Sequence, residues 1–321
     1  MMRRCIDLAR LGAGNVSPNP MVGAVVVCNG RIIGEGYHRK YGGPHAEVNA
    51  INSVRDEALL PRSEIYVSLE PCAHFGKTPP CADLIISKKI RKVYVGCLDP
   101  FTKVDGKGIR KLRDAGIEVE VGILEKECQE LNRRFFTSVN FNRPYVILKW
   151  AQSLDGFIDK DFAPVRISNH RTEILNHKWR SEEDAILVGY NTVRRDNPSL
   201  TNRLWAGKNP LRVVIDRDSA LEHDKYKVFD DSARTVVLSD TDPRQILSAL
   251  HEMKVQSVIV EGGAATHKKF VDAGLWDEAR VFVSTQTLGN GTRAVALTGG
   301  RLVGAENVCG DTLMTYYSST T

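Results

Sequence analysis

The strongest constraint on the fold is that short β-like runs alternate with helical segments along the whole chain. In both halves, apolar runs of strand length are separated by segments with helical spacing, and the second half does not repeat the sequence of the first. Strands that alternate with helices pack as a layered sheet covered by helices. The sequence therefore predicts an α/β architecture in both halves.

The predicted elements begin with a helix over residues 3–11 and then a hairpin. Asn29-Gly30 favours a type I′ turn, which joins Met21–Cys28 to Arg31–Tyr37. The other predicted strands are Glu64–Leu69, Lys92–Cys97, Ile117–Val121, Tyr145–Trp150, Ala185–Val188, Leu211–Ile215, Thr235–Leu238, Ser257–Val260 and Arg280–Ser284. The other predicted helices are His45–Ile51, Cys81–Lys88, Lys107–Ala115, Glu125–Thr137, Arg171–Ser181, Pro243–Met253 and Ala265–Ala273.

A domain boundary is expected near the middle of the chain. Its 321 residues are about twice the usual single-domain length, so two hydrophobic cores are expected. Asn142-Arg143-Pro144 follows a predicted helix and precedes a new strand, as a linker would. We predict one domain over residues 1–142 and a second over residues 143–321.

Charge and apolar content argue against nucleic acid or a membrane as partner. The net charge of +5 arises from 44 basic and 39 acidic residues spread along the chain, too dilute for a nucleic-acid binder. The longest apolar stretch near the start is Val22–Val27, and Asp7 and Arg10 interrupt any signal-peptide core. We expect a cytoplasmic protein that acts on a small molecule.

Seven cysteines at irregular spacing are poor evidence for disulfides in such a chain. Five of them lie among apolar neighbours, and we interpret these five as packing residues. They are Cys5, Cys28, Cys97, Cys128 and Cys309. The remaining two belong to a candidate metal site.

The first half supplies the ligands of a hydrolytic zinc site, which needs three protein ligands and one open position where bound water ionises with a pKa of about 7. His45 lies at a predicted helix start, Cys72 follows a predicted strand, and Cys81 opens the next helix, where a thiolate is favoured. Glu47, two residues after His45, is near enough to serve the metal-bound water. One imidazole, two thiolates and a glutamate that carries protons are the set found in zinc deaminases.

Two other interpretations of these residues remain open. The zinc could be structural, with His74 as a fourth ligand, and the chain a binding module. Alternatively, the enzyme could deaminate another base or nucleoside, including a tRNA base, and carry an unrelated C-terminal domain. Nucleic-acid deaminases have two residues between the cysteines, whereas this chain has the eight of Ala73–Pro80. Because that insert contains an imidazole, an ammonium and a hydroxyl, it is predicted to bind an anionic substrate.

Taken together, these motifs resemble the bifunctional deaminase/reductases of riboflavin biosynthesis over nearly the whole chain. The deaminase signatures are Pro18–Gly23, Gly36–His38, His45–Glu47, Glu70–Cys72 and Thr78–Cys81. The reductase signatures are Lys149 with Ser153–Gly156, Asp184–Gly189 with Thr192-Val193, Asp196–Thr201 and Val260–Gly263.

The resemblance implies two consecutive reactions. A cytidine-deaminase-like first half would use Zn²⁺ to remove the ring amino group of 2,5-diamino-6-ribosylamino-4(3H)-pyrimidinone 5′-phosphate. A dihydrofolate-reductase-like second half would use NADPH to reduce the ribosyl group to ribityl, giving 5-amino-6-ribitylamino-2,4(1H,3H)-pyrimidinedione 5′-phosphate. It also implies a homo-oligomer formed through the reductase domain. The deaminase residues implied to hold the nucleotide are Asn19, His38, His74, Lys77 and Asp99.

Few catalytic groups are expected in the second half, because hydride transfer mainly requires that cofactor and substrate be positioned. Lys149 and Glu261 project from the ends of predicted strands, where α/β proteins place their ligands, and Asp196 is the third ionisable group expected there. The resemblance places these three around the opened ribose. It places Ala151, Thr192, Asp196 and the segment from Gly263 around NADPH, and Arg180, Leu200, Arg203 and Glu261 around the substrate.

The cofactor assignment depends on this resemblance, because the Rossmann G-x-G-x-x-G is absent and Gly262-Gly263 alone is a weak phosphate-binding signal. Guanidinium groups such as Arg180 and Arg203 suit a 5′-phosphate. Two positions depart from the family pattern. Arg166–Asn169 lacks the usual tryptophan, and Phe101 replaces an expected asparagine.

Overall fold

The structure is a computed structural model that describes residues 1–73, 79–101 and 106–319. Contacts between residues divide it into two compact units, Met1–Phe141 and Asn142–Thr321. None of the helices in these described ranges is both long and apolar enough to cross a membrane.

The N-terminal unit is built on a five-stranded sheet in the order β2-β1-β3-β4-β5. Its strands are β1 (Gly23–Cys28), β2 (Arg31–Tyr37), β3 (Glu64–Leu69), β4 (Lys92–Cys97) and β5 (Glu118–Val121). Its helices are α1 (Met2–Arg10), α2 (Ala46–Asn52), α3 (Cys81–Ser87), α4 (Lys107–Asp114), α5 (Glu125–Leu131) and α6 (Arg133–Phe141), with a 3₁₀ helix at Glu57–Arg62. β1 is antiparallel to β2 and β3, whereas β3, β4 and β5 are parallel. The carboxyl ends of β3 and β4 therefore lie side by side.

The pleat of β1 distributes its side chains between two cores. Ala24 and Val26 pack into a core that includes residues of α2, α3 and α4, whereas Val25 and Val27 pack into a core that includes residues of α1 and α5. Alternation of this kind is what a strand covered on both faces requires. α2 lies so close to β2 that a Cβ on Gly36 would come within 2.3 Å of the Ala50 backbone nitrogen.

The C-terminal unit is built on an eight-stranded sheet in the order β12-β13-β11-β6-β10-β7-β8-β9. Its strands are β6 (Tyr145–Gln152), β7 (Ala185–Gly189), β8 (Leu211–Ile215), β9 (Thr235–Leu238), β10 (Ser257–Gly262), β11 (Glu278–Val283), β12 (Gly300–Val308) and β13 (Asp311–Ser318). Its helices are α7 (His170–Glu182), α8 (Tyr190–Asp196), α9 (Pro243–Glu252) and α10 (Ala264–Asp272), with 3₁₀ turns at His223–Lys225 and Lys227–Phe229. The six strands from β11 to β9 are parallel, and β13 is antiparallel to both of its neighbours, β11 and β12. The ends of β6, β10 and β7 thus meet at one edge.

The α/β class predicted for both halves is confirmed, and so is the Asn29-Gly30 hairpin, where both turn residues have positive φ. Two expectations were wrong, and some elements were missed. The helix predicted over Glu125–Thr137 is two helices divided at Asn132, because the Asn132 side chain bonds both the amide and the carbonyl of Met21 at 2.8 and 2.9 Å. The β12–β13 hairpin and α8 were not predicted. Cys309 is not a packing residue, since it is exposed in the turn of that hairpin, with φ 52°.

Candidate active sites

The predicted zinc ligands converge although they come from three separate segments of the N-terminal unit. His45 caps the start of α2, Cys72 lies just beyond β3, and Cys81 is the first residue of α3. His45 Nδ1 lies 3.6 Å from Cys72 Sγ and 3.4 Å from Cys81 Sγ. The ligand atoms of all three residues lie within 4.8 Å of one another.

The spacing and chemistry of these atoms fit a zinc ion. Tetrahedral zinc with bonds near 2.3 Å to sulfur and 2.0 Å to nitrogen holds the two ligand atoms about 3.5 Å apart, which matches both distances. The Cys81 amide donates to Cys72 Sγ at 3.3 Å. Hydrogen bonding between the two thiols lowers the pKa of Cys72 to about 4 and raises the pKa of Cys81, so Cys72 is the more readily ionised of the two sulfurs.

Glu47 lies on the first turn of α2 beside this cluster, and only 3% of it is exposed. Burial raises the pKa of its carboxyl to about 7, and the nearby Cys72 adds to the shift while His45 opposes it. A carboxyl with a pKa near neutrality can both accept and release a proton under working conditions. The structure therefore places a proton-transfer group next to the predicted metal position.

Three residues predicted to hold the nucleotide lie in the same region. His38 is buried, and its ring centroid lies 5.6 Å from that of His45. Its Nδ1–H donates to the Pro44 carbonyl at 3.0 Å, which leaves Nε2 to accept from the Asn19 amide at 3.1 Å. Asp99 follows β4, is 7% exposed, and has its pKa raised to about 6 by burial. The predicted residues His74 and Lys77 lie outside the described residues.

The sequence identified Glu70 only as part of the Glu70–Cys72 motif, but in the structure it makes several hydrogen bonds. Its buried carboxylate accepts hydrogen bonds from the backbone amides of Asp99, Gly106, Gly108 and Ile109. The sequence does show a glutamate directly after a predicted buried strand, and this position could have marked Glu70 as a candidate.

The C-terminal unit brings together Lys149, Glu261 and Arg180. Arg180 makes two hydrogen bonds to the Glu261 carboxylate, at 3.2 and 2.8 Å, and a third to the Thr201 carbonyl at 3.1 Å. Burial raises the pKa of Glu261, but the charges of Arg180 and Lys149 outweigh it and hold that pKa at about 2. Burial lowers the pKa of the Lys149 ammonium, and the Glu261 charge opposes this shift. Glu261 thus remains ionised beside an ammonium group that burial disfavours.

A cavity of about 330 Å³ opens beside this group and is lined by both predicted arginines. The Arg203 amide donates to His177 Nδ1 at 2.9 Å, and the Arg203 guanidinium donates to Thr201 Oγ1 at 2.7 Å. Burial and the two arginine charges lower the pKa of His177 to about 4. The lining residues are Glu173, Asn176, His177, Arg180, Arg203 and Leu204. The cavity thus presents a cationic wall suited to a phosphate.

A second and larger cavity, of about 680 Å³, contains Thr192, Asp196 and Gly263 of the predicted cofactor set. It lies where β7 and β10 end and the next helices begin. A Cβ on Gly263 would come within 3.3 Å of Thr192 Oγ1, and one on Gly189 within 2.7 Å of Thr266 Oγ1. Backbone exposed by such glycines at helix starts fits the phosphates of a dinucleotide.

Asp196 lines this larger cavity and does not line the smaller one. Ala151 lies at the end of β6 and contributes to a hydrophobic cluster. Leu200 is 2% exposed and packs into another, so a substrate contact there would have to use its backbone.

Arg166 and Phe101, the two departures from the family pattern, each contact a neighbouring carboxylate. The Arg166 side chain pairs with Glu173, which lines the smaller cavity, at 3.1 Å. The Phe101 amide donates to the Asp99 carboxylate at 2.9 Å.

The larger cavity also contains charged residues that our sequence reasoning missed. Asp216, Arg217 and Asp218 directly follow β8, and Lys269 lies on α10. The rule that ligands bind beyond the carboxyl ends of parallel strands could have identified the first three. Nothing in the spacing of the sequence marked Lys269.

Comparison with known families supports both halves. Residues 1–97 match the family model described as the cytidine and deoxycytidylate deaminase zinc-binding region. Residues 144–313 match that of the RibD C-terminal domain. The predicted order, a deaminase-like α/β domain before a reductase domain, is therefore confirmed.

Whole-chain relatives extend this likeness. The chain is 39% identical over 313 residues to the riboflavin biosynthesis protein RibD of Aquifex aeolicus, covering 90% of this chain and 87% of that protein. It is 43% identical to the RibD of Synechocystis over 81% of this chain and 71% of the relative. The crystal structure of a diaminohydroxyphosphoribosylaminopyrimidine deaminase/5-amino-6-(5-phosphoribosylamino)uracil reductase from Thermotoga maritima superposes with a TM-score of 0.93 and 39% identity, covering 99% of this chain and 97% of that one.

Proposed function

The chain belongs to the RibD family of riboflavin biosynthesis proteins, and from this premise we propose how its residues divide the family's two reactions. It is a bifunctional enzyme, a zinc-dependent deaminase and an NADPH-dependent reductase. Residues 1–142 form the deaminase domain, and residues 143–321 form the reductase domain. The substrate is the diaminopyrimidinone ribosylamino 5′-phosphate, and the second reaction reduces its ribosyl group.

In the deaminase domain, His45, Cys72 and Cys81 hold the zinc ion, which supplies an activated water when bound. Glu47 would carry one proton of that water to the ring nitrogen as the C–O bond forms, and then carry the remaining hydroxyl proton to the amino group, which would leave as ammonia and give the ring carbonyl. Asn19, His38, His74, Lys77 and Asp99 hold the nucleotide. The observation that carries this assignment is the close approach of one imidazole nitrogen and two sulfurs beside a buried glutamate.

In the reductase domain, NADPH supplies the hydride when bound, and the protein positions the sugar and provides a proton. Thr192, Asp196, Gly263 and Ala151 hold the cofactor, and Arg180, Leu200, Arg203 and Glu261 hold the substrate. We assign the proton donor to Lys149, because its pKa is lowered while Glu261 is held ionised. Glu261 orients the ribose hydroxyls and keeps Arg180 in place.

Three broader properties complete the proposal. A cytoplasmic location suits a site that needs two reduced thiolate ligands. Neither nucleic acid nor a membrane is required as a partner. The C-terminal unit forms a homo-oligomer, which is supported by the outer edge of β12, where Leu302 and Val303 are 47% and 39% exposed. Light scattering on the purified protein measures this state.

Mass spectrometry of the nucleotide after incubation tests both reactions together. Without NADPH, replacement of the amino group by oxygen should raise the substrate mass by about one unit. With NADPH, reduction should add about two more. An unchanged mass in both incubations would refute the proposed function.

A further inference from the structure

Glu70 is a buried carboxylate whose two oxygens accept four backbone amides. Oε1 accepts from Gly108 at 2.9 Å and from Ile109 at 3.3 Å. Oε2 accepts from Gly106 at 3.0 Å and more weakly from Asp99 at 3.4 Å. Only 4% of the residue is exposed. Such charge-assisted bonds in a dry environment fix the groups that they join.

Asp99 follows β4, and Gly106, Gly108 and Ile109 lie at the start of α4, whereas Glu70 directly follows β3. Gly106 is the N-cap of α4 and provides no side chain to cap that helix. The Glu70 carboxylate satisfies the first amides of α4 from a different strand, where a negative charge is favoured. The helix is pressed against the same segment, since a Cβ on Gly108 would come within 1.9 Å of the Pro71 carbonyl oxygen.

On its other side, Glu70 is separated from Cys72 by a single proline. The Cys72 carbonyl accepts from the Ala82 amide at 3.2 Å, which ties the same segment to α3. Glu70-Pro71-Cys72 therefore links three things: a sulfur of the metal cluster, the start of α4, and the backbone of Asp99. A displacement of Glu70 would change the distance between the metal cluster and the Asp99 carboxylate.

We propose that Glu70 is a positioning residue of the deaminase, which holds Asp99 at a fixed depth relative to the Cys72 ligand so that the bound pyrimidine reaches the metal-bound water. The proposal rests on the proposed function, in which Asp99 contacts the nucleotide. Glu70 itself touches neither the metal nor the substrate. It acts through its hydrogen bonds to the Asp99 amide and to the first amides of α4.

The first test is Glu70→Gln, with Glu64→Gln, at the other end of β3, as its matched control. An amide has one acceptor oxygen, so Glu70→Gln loses part of the four-amide bond set, whereas Glu64 only accepts from Arg91 at 2.7 Å. We expect Glu70→Gln to raise the KM for the diaminopyrimidinone nucleotide about tenfold, because one or two charge-assisted hydrogen bonds are lost. The value of kcat should change less than about threefold. Zinc content and the reductase rate should stay unchanged. An unchanged KM overturns the proposal, as does a fall in kcat that follows zinc loss.

A double-mutant cycle with Asp99→Asn separates positioning from general stability. If Glu70 acts through Asp99, the KM of the double variant should be less than about threefold higher than the KM of Asp99→Asn alone. Full multiplication of the two effects would overturn the proposal.

Amide hydrogen exchange measures, without any substrate, the hydrogen bonds that join Glu70 to the start of α4. The peptide that contains Gly106 to Ile109 should exchange faster in Glu70→Gln, and in Glu70→Asp if the first variant does not fold, but not in Glu64→Gln. Unchanged exchange contradicts the role given to these hydrogen bonds. Wild-type protein that leaves the nucleotide unaltered would instead count against the proposed function, while the exchange result would still decide the role of Glu70.

Discussion

At the scale of single residues, the two units use buried carboxylates in opposite ways. Glu47 and Glu261 are both glutamates with little exposure. Burial raises the pKa of Glu47 to about 7, whereas two neighbouring cations overcome burial and hold the pKa of Glu261 at about 2. The surroundings, not the residue type, decide which carboxyl titrates near neutral pH and which remains ionised.

The role of Glu47 predicts a specific outcome for Glu47→Gln. The amide keeps the shape of the side chain but cannot carry a proton, so deamination should fall at least about 100-fold. Zinc content should not change, because His45, Cys72 and Cys81 remain. Ammonia release and metal analysis measure the two quantities. The control is Glu35→Gln, which removes only the ion pair with Arg4 on the protein surface. Substantial activity in Glu47→Gln would refute the mechanism.

His267 predicts the pH dependence of stability in the C-terminal unit. It is 2% exposed and donates from Nε2 to the Val260 carbonyl at 2.9 Å. Burial lowers its pKa from 6.5 to about 4. The unfolded chain therefore binds this proton more readily than the folded chain. The stabilisation is fully present above about pH 6.5 and is lost as the pH falls towards 4, on the order of 3 kcal/mol.

Urea unfolding at pH 7 and pH 5 measures this effect through tryptophan fluorescence. All four tryptophans lie beyond residue 141, so the signal reports the C-terminal unit. His267→Gln keeps a donor for Val260 but does not titrate, so its stability should vary less with pH. The exposed His223→Gln should behave as the wild type does. Equal pH dependence in all three proteins would contradict the prediction.

At the scale of elements, strands with apolar runs and strong turn signals could be predicted from the sequence. Leu211–Ile215 was predicted residue for residue because it is almost entirely buried between two parallel neighbours. The β12 strand could not be predicted, since it is an edge strand with mostly exposed residues and no apolar alternation. The break at Asn132 depends on Met21, more than a hundred residues earlier, and no local pattern could show it.

In the candidate sites too, local sequence patterns could be predicted and contacts between distant residues could not. His45, Glu47, Cys72 and Cys81 were found because their residue types and spacing suit only a few kinds of chemistry. The four amides bound by Glu70 and the cavity between Arg180 and Arg203 arise from tertiary contacts. The order of residues does not show which groups such contacts bring together, although the position of Glu70 directly after a buried strand could have marked it as a candidate.

Because α2 packs closely on β2, Gly36 helps to set the position of the helix at which His45 and Glu47 lie. A Cβ at Gly36 would lie 2.3 to 2.7 Å from backbone atoms of α2, which cannot rotate away. Gly36→Ala should therefore displace the helix that carries His45 and Glu47, and cost on the order of 1–3 kcal/mol or more. Zinc content and the thermal midpoint should both fall. Gly30→Ala is the contrast, because that residue has a positive φ but no neighbour within 4 Å, so zinc should be retained. Full zinc in Gly36→Ala would show that the helix position does not control the site.

At the scale of the whole molecule, the residues proposed for each reaction lie within a single unit. The predicted metal cluster and Glu47 belong to Met1–Phe141, and Lys149, Glu261 and both cavities belong to Asn142–Thr321. The product of the first reaction is the substrate of the second. Two sites without shared residues should therefore be separable by substitution.

Lys149→Ala and removal of zinc by a chelator test this separation from opposite sides. Without the Lys149 amine, NADPH oxidation by the deaminated nucleotide should fall at least about 100-fold, because the proton donor is gone. Deamination should stay within about twofold of wild type, because no predicted deaminase residue lies beyond residue 142. Chelation should have the reverse effect, stopping deamination while supplied deaminated nucleotide is still reduced. Lys268→Ala, which breaks only a surface pair with Asp272, should change neither rate. If Lys149→Ala abolished both activities in a protein that keeps its zinc and its fold, the sites would depend on each other, and the assignment of one reaction to each unit would be wrong.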